Sequence, residues 1–480
     1  MRAKASDSRR SQSRAWCALF VAMTMLGGGL VRGQDAPTPD GFVETLVPLG
    51  APREHWAMLN GSDTASPDSR HLVYQERKVK DDALMINGEM GDPFREIYGP
   101  VFSPDSKRIA WAATKGGPWK LIVNNEVSLK VRTPVSKPVF SPDSARLAIW
   151  SREGKSISLI IDKQVGPTFT QVVRDSLRFS RDSVRHAYVA GRDGRWHMVV
   201  DGHPGPDYDI IGSMPEFSPD GARLAFAAGD DDGWWVVADG TPQQRYAQIG
   251  SQPTFSPDSN HLAYWAQREA DGDWVLVVDG EELAHTSCDA HGGETFSPDS
   301  QRIAAVIRQG DGWVVSIDGK AGDVWDAIGQ GSFRFSPDSQ RYAYGALRDG
   351  RWTVVVDGEA HETAKAVSQV GMQFSADSAH FVYAAQRDDR WRVVFDGQDH
   401  RAFESIVAES IAFSSDGRQL VYIAADASRQ FVVHDGEVIA EADEVRSVAF
   451  SPDGEHLAWL ARDGHRWRLY VNGEPGAEAF

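Results

Sequence analysis

An all-β fold assembled from eleven repeated four-stranded units is predicted by three features of the sequence. One aspartate recurs from Asp68 to Asp453 at intervals of 37–41 residues, at Asp68, Asp105, Asp143, Asp182, Asp220, Asp258, Asp299, Asp338, Asp377, Asp416 and Asp453. It sits each time in a turn of the type Phe-Ser-Pro-Asp-Ser, as in Phe102 to Ser106. Between these turns the chain reads as short apolar or alternating segments punctuated by Asp-Gly pairs. A fixed period of this length, with four strands in each period, is the signature of the radially repeated sheets of a β-propeller.

The elements of one unit follow in order. The first strand ends on an aromatic three residues before the anchor aspartate, Phe102, Phe140, Phe179 and so on to Phe450, with Ala65 the one departure. Ser-Pro-Asp-Ser then turns the chain, because proline presets φ and aspartate bonds backbone donors ahead of it. The second strand alternates, as in Leu262-Ala263-Tyr264-Trp265, and carries an aromatic six residues past the anchor in nine of the eleven units, Ile149 and Ala305 being the exceptions. A polar hairpin follows, often Arg-Asp-Gly-Arg, as at Arg192–Arg195 and Arg348–Arg351. The third strand opens with tryptophan and runs into valines, as in Trp352-Thr353-Val354-Val355-Val356, residues that suit a pleated, half-buried surface. A second turn, Asp-Gly in most units, lies nineteen residues past the anchor, and a weaker fourth strand leads onward. The phenylalanines and tryptophans are expected to form the core between units. An array of eleven exceeds the usual four to eight blades. The expected arrangement is two consecutive propellers, six units over 56–290 and five over 291–480, with one large ring or an open array as alternatives.

Residues 1–33 read as a secretion signal. Arg2, Lys4, Arg9, Arg10 and Arg14 precede an apolar run from Ala15 to Leu26, and Val31 and Gly33 suit cleavage before Gln34. The run is short for a bilayer span, so no transmembrane segment is expected after cleavage. A segment at 34–55 follows, in which Phe42 to Val47 is a candidate strand for closing the last blade. The whole chain carries a formal net charge of −18. Cleavage removes six basic residues and one acidic residue, which leaves −23. Such a surface repels phosphate backbones and argues against nucleic acid as a partner. Only Cys288 survives cleavage, so no internal disulfide can form.

Through the motif Phe-Ser-Pro-Asp-Gly/Ser followed by a Leu/Ile-Ala-aromatic strand, the chain resembles the TolB-type, WD-repeat-like propeller family. Phe217 to Gly221 with Leu224-Ala225-Phe226, and Phe450 to Gly454 with Leu457-Ala458-Trp459, carry the motif in full. The resemblance covers roughly residues 60–480 and implies a periplasmic or secreted interaction platform. The α/β domain that precedes the propeller in TolB has no counterpart in the 34–55 segment. The Gly-x-Ser-x-Gly elbow of propeller-capped peptidases is also missing.

Residues with catalytic or ligating chemistry are few outside the repeat. His285, Cys288 and His291, with Glu294 nearby, have zinc- or copper-type side chains. Their three-residue spacing places successive members on opposite sides of an extended strand, and a polar connection is the expected role. Asp230-Asp231-Asp232-Gly233 lacks the alternating ligands of a calcium loop. No cofactor, metal or catalytic residue is therefore assigned. Arg195, Arg351, Arg390 and Arg466 recur on the hairpins between second and third strands, and are the candidate binding residues. The functional expectation is a non-enzymatic exported scaffold that binds a protein or peptide partner in the periplasm or cell envelope. Alternatives are glycan binding through aromatics, with Trp234-Trp235 the best candidates, and a lyase or hydrolase with a site at the central channel.

Overall fold

The structure is a computed structural model that describes residues 22–25, 42–45, 57–58, 64–78, 81–269, 272–286 and 293–479. Eleven antiparallel sheets follow one another along the chain, each with its strands in sequence order. The tenth is representative: Ser405–Phe413, Leu420–Asp426, Arg429–His434 and Glu437–Ala442. In six sheets the first strand comes in two pieces that both pair with the second strand. In the third sheet these are Thr133–Pro134 and Val139–Phe140, both on Leu147–Glu153. No helix occurs among the described residues. Among those residues, the extensive contacts between sheets all join consecutive sheets, most often the third strand of one with the first strand of the next, as Arg390–Phe395 meets Ser405–Phe413. These are the blades of a β-propeller.

Apolar clusters bridge each pair of neighbours. Val382, Ala384 and Val393 of the ninth sheet pack with Leu420, Tyr422 and Ala424 of the tenth. The side chains six residues past each anchor, from Tyr74 to Trp459, are all buried, Ile149 and Ala305 included. The aromatics three residues before the anchor differ from expectation. Phe255 is buried, but Phe102, Phe140, Phe217 and Phe374 are half-buried. The third-strand tryptophans are half-buried too, Trp274 excepted.

These phenylalanines also take part in how one sheet holds the next. In the fifth sheet Ser218 Oγ donates to Asp220 Oδ1 (2.6 Å), which also accepts from the N–H of Ala222 (3.0 Å). The same local bonds recur at all eleven anchors, for instance at Asp68, Asp258 and Asp453. The backbone N–H of Asp220 then donates forward to Ser259 Oγ in the turn of the sixth sheet (3.0 Å). Three residues past the anchor, Arg223 adds a second hold. Its Nε reaches Asp239 of its own sheet (3.0 Å), and its Nη1 donates to the carbonyls of Ser259 and Asn260 (3.2 and 2.6 Å). Its guanidinium lies 5.0 Å from the centre of the Phe255 ring, a cation–π contact strengthened by charge-assisted hydrogen bonds. Arg108, Arg146, Arg185, Arg302 and Arg341 cover Phe140, Phe179, Phe217, Phe335 and Phe374 in the same way. The aromatic before the anchor is thus a platform for the preceding sheet's arginine.

The forward bond from anchor N–H to serine Oγ joins seven of the ten sheet-to-sheet steps. At the other three the receiving residue is Gly221, Gly417 or Gly454, which has no hydroxyl. The receiving serines all adopt left-handed backbone, φ 62° at Ser106 and 69° at Ser259, a conformation that costs a residue with a Cβ roughly 1–2 kcal/mol. Serine is tolerated there because its hydroxyl holds the neighbouring sheet.

The step near residue 290, where the sequence suggests a division, carries the same hold. Asp258 N–H donates to Ser300 Oγ (2.9 Å), and Trp265 and Leu276 cluster with Ile303 and Val314. Phe42–Thr45, within the candidate closing strand Phe42 to Val47, pairs with Ala22–Met25.

Two predictions follow from these bonds. Ser144→Ala keeps the left-handed strain and loses the bond from Asp105, so it should destabilise the protein by about 1 kcal/mol. Ser144→Gly loses the same bond but relieves the strain, so its urea midpoint should lie above that of Ser144→Ala. An alanine variant equal to or better than the glycine variant would contradict the role of the hydroxyl. The serine hydroxyl, then the backbone N–H two residues on, also holds the carboxyls of Asp105, Asp143, Asp220 and Asp299 below their ordinary value. A depressed folded-state pKa contributes stability that is complete above the unfolded value and is lost as pH falls through the folded one. Thermal midpoints should therefore decline as pH drops below about 4, and a rise on acidification would count against the assignment.

Candidate functional site

The repeated polar residues are largely committed to architecture, so a site is to be sought where the repeat departs from its pattern. The clearest departure is Ile-Gly-Ser-x-Pro, at Ile211 to Pro215 and Ile249 to Pro253. In the fifth sheet the first strand pairs at Ile210–Ile211, leaves the ladder, and returns at Glu216–Phe217. The sixth sheet does the same between Gln248–Ile249 and Thr254–Phe255. Pro215 and Pro253 have no N–H to donate to a ladder. The second-strand N–H groups opposite the gaps are taken by serines: Ala227 donates to Ser213 Oγ (2.8 Å) and Trp265 to Ser251 Oγ (3.0 Å). The glycines are required by tryptophan. A Cβ on Gly212 would stand 2.4 Å from the Trp234 ring, and one on Gly250 would stand 2.3 Å from Trp274.

These gaps open a groove of about 780 Å³ across the inner strands of the fourth to sixth sheets. Val173, Ile211, Met214, Ile249 and Trp234 give it apolar walls, and Gln248 and Gln252 bring amides to it. Gln252 Nε2 donates to Glu216 Oε2 across the two sheets (2.6 Å). Burial pushes the Glu216 carboxyl up, against the pull of that bond. Burial also raises Glu294, whose Oε2 accepts from Trp265 Nε1 (2.9 Å). An apolar trough edged by amides can hold a side chain or a ring face and fix it by a few hydrogen bonds.

The candidate binding arginines do not converge on this groove. Arg195 pairs with Asp209. Arg390 reaches forward to Asp426 of the next sheet (2.6 Å) and to the carbonyl of Ala402 (3.1 Å). Arg351 and Arg466 are exposed. Of the ligating residues singled out, His285 is exposed on Glu281–Thr286, and Cys288 and His291 lie outside the described residues. Asp230 accepts both nitrogens of the Arg245 guanidinium (2.5 and 3.0 Å), and Arg245 in turn covers Trp235 at 4.6 Å. Trp234 and Trp235 thus face opposite ways, the first toward the groove. Among the described residues one trio of metal-ligating side chains comes within reach of a common ion, Asp453, Glu455 and His456. Asp453 Oδ1 is taken by Ser451 and by Glu455 N–H, and His456 Nδ1 lies 2.8 Å from Asn472 Nδ2.

The sequence reading passed over the residue three past each anchor. It is Arg or His in ten of the eleven units, with Gln419 the exception, and that regularity was the signal for the hold between sheets. The groove had a signal as well, in the two successive copies of Ile-Gly-Ser-x-Pro.

No protein-family model and no curated protein matches the chain. Solved structures similar to it include a eukaryotic initiation factor, at 13% identity over 70% of this chain and 95% of that one, with a TM-score of 0.34. TolB from Acinetobacter baumannii is similar at 17% identity, over 52% and 75%, with a TM-score of 0.25. The β-propeller domain of the Trilobed protease from Pyrococcus furiosus is similar at 12% identity, over 56% and 97%, with a TM-score of 0.27. These scores carry no functional argument, and the propeller assignment rests on the sheets themselves.

The tryptophan-on-glycine contact is the most rigid part of the groove, since Trp274 is 2% exposed. Gly250→Ala should therefore cost roughly 1–3 kcal/mol by overpacking, seen as a lower urea midpoint. An unchanged midpoint would show that the ring is free to move aside.

Proposed function

We propose that the chain is a non-enzymatic, exported binding scaffold that takes an extended segment of a protein partner in the periplasm or cell envelope. The inner-strand groove of the fourth to sixth sheets is its docking surface. The observation that carries this reading is the groove itself: it lies where Ile-Gly-Ser-x-Pro breaks the repeat, and its walls join apolar side chains to hydrogen-bonding amides. The groove is preferred to the arginine-bearing hairpins because Arg195 and Arg390 are already engaged in ion pairs. A non-enzymatic role is supported by the engagement of the repeated serines and aspartates with one another in the turns. Export is supported by the signal-like pattern of residues 1–33. Trp234 beside Gln248 also suits a sugar ring, so a glycan is the second reading.

A photo-crosslinking side chain at Gln248, with the exposed Glu126 as control, tests the proposal in envelope extract. Adducts should form at position 248, be digested by protease, and disappear when Met214→Glu is added. Equal adducts at position 126, or adducts insensitive to Met214→Glu, would overturn the reading. Protease-resistant adducts removed by glycosidases would select the glycan.

A further inference from the structure

A second groove, of about 770 Å³, lies between the second and third sheets. Pro118, Lys130, Val131 and Arg132 stand on its wall. Its floor is the third sheet, with strands Leu147–Glu153, Ser156–Ile161 and Gln164–Phe169. The space comes from positions at which this sheet carries serine. Thirteen residues past the anchor, where five units have arginine, stands Ser156. Fifteen past it, where six units have Lys120, His197, Trp235, Arg392, Phe431 or Arg468, stands Ser158. Eight past it, Ser151 replaces the alanine of eight other units.

The floor is consequently a row of hydroxyls. Ser151 pairs with Ser158, and Ser158 with Thr168, across three neighbouring strands. The pairing sets these side chains about 5 Å apart on one face. Ser156 and Thr168 are exposed, and Ser151 and Ser158 are half-buried. Ser151 Oγ accepts from the N–H of Arg132 (3.2 Å), and Ser158 and Thr168 share one bond (3.3 Å). The hydroxyl protons of Ser151 and Ser156, and one from the Ser158–Thr168 pair, find no acceptor among the described residues.

Charge around the groove runs against that of the whole chain. Residues 107–199 hold seventeen Lys or Arg and seven Asp or Glu, in a chain of net charge −18. Arg132 reaches Glu153 at the rim (3.2 Å). Lys130, with Arg152 and Lys155 on the adjoining hairpin, is exposed, and none of the three has an ion-pair partner among the described residues. Such a cluster raises the local concentration of anions. An ionised carboxylate only accepts hydrogen bonds, so it matches hydroxyls with protons to spare beside unpaired cations. The rest of the lining, Pro118, Val131, Ile160 and Val165, is aliphatic. It suits an apolar side chain and provides no ring on which a sugar or a base would stack.

We propose that this groove docks an acidic segment of a partner protein, with carboxylates on the hydroxyl row and an aliphatic side chain against Ile160 and Val165. The site shares no lining residue with the inner-strand groove and does not depend on it.

Fluorescence anisotropy on the full chain tests it, with a labelled peptide of alternating glutamate and valine. Wild type should bind this peptide saturably, and at least tenfold more tightly than its glutamine–valine counterpart. Ser158→Phe and Ser156→Arg each install a residue that the repeat carries at the same position elsewhere, and each fills the groove. Both should weaken binding at least tenfold. Ser156→Arg separates two explanations, because it also adds a positive charge: attraction by charge alone requires tighter binding, and occupation of the groove requires weaker. No saturable binding by wild type, undiminished binding by Ser158→Phe, or undiminished or tighter binding by Ser156→Arg overturns the proposal. An oligouronate or a single-stranded DNA that binds wild type more tightly than the peptide also overturns it, by assigning the groove to another class of polyanion. If Ser158→Phe does not fold, Ser156→Arg decides.

Discussion

The hydrogen bond from the anchor aspartate's N–H to a serine hydroxyl of the following sheet is the constraint on which this architecture depends. It fixes the distance between neighbouring turns and requires a Cβ-bearing residue in left-handed backbone. The arginine three residues on lies over the next sheet's phenylalanine, and Arg185 does so over Phe217 even where glycine removes that bond. Serine, aspartate, arginine and phenylalanine are therefore kept together in each unit because they form one joint. The local half of that joint, serine to aspartate and aspartate to backbone, folds within one turn. The forward half needs a neighbour, as in other repeat proteins where each unit contacts only the next.

Much of this was legible in the sequence. The period, the four strands of each unit and both turns followed from spacing and turn chemistry. The Asp-Gly turns are those a hairpin with positive φ at both central residues prefers, as at Asp239 (φ 52°) and Gly240 (φ 79°). What was not legible is lateral. Spacing shows which residues share a face of one strand, but not which side chain of the preceding sheet lies over them. Phe255 and Phe217 read as core and serve as platforms for Arg223 and Arg185. Gly212 carries no signal in the spacing and is a seat for Trp234.

One principle governs where this fold can meet a ligand. Where every unit is alike, polar groups satisfy one another and little chemistry is left to spare. The residues that can meet a ligand are those at which one unit lacks what its neighbours have. At Ile-Gly-Ser-x-Pro the gap in the first strand, a feature other sheets share, is lined by glycine, tryptophan and glutamine and remains open as a groove. Gly221, Gly417 and Gly454 are a further set of departures, and they remove only the forward bond between sheets.

That last set provides the most direct measurement of the central claim. Amide hydrogen exchange resolved to single residues compares anchor aspartates that differ in this one bond. The N–H groups of Asp105, Asp143, Asp220, Asp258, Asp299 and Asp338 donate to a serine hydroxyl and should exchange slowly. Those of Asp182, Asp377 and Asp416 face glycine and should exchange fast, in turns that are otherwise the same. Equal rates in the two groups would contradict the account, because the forward bond would then not be what holds one sheet to the next.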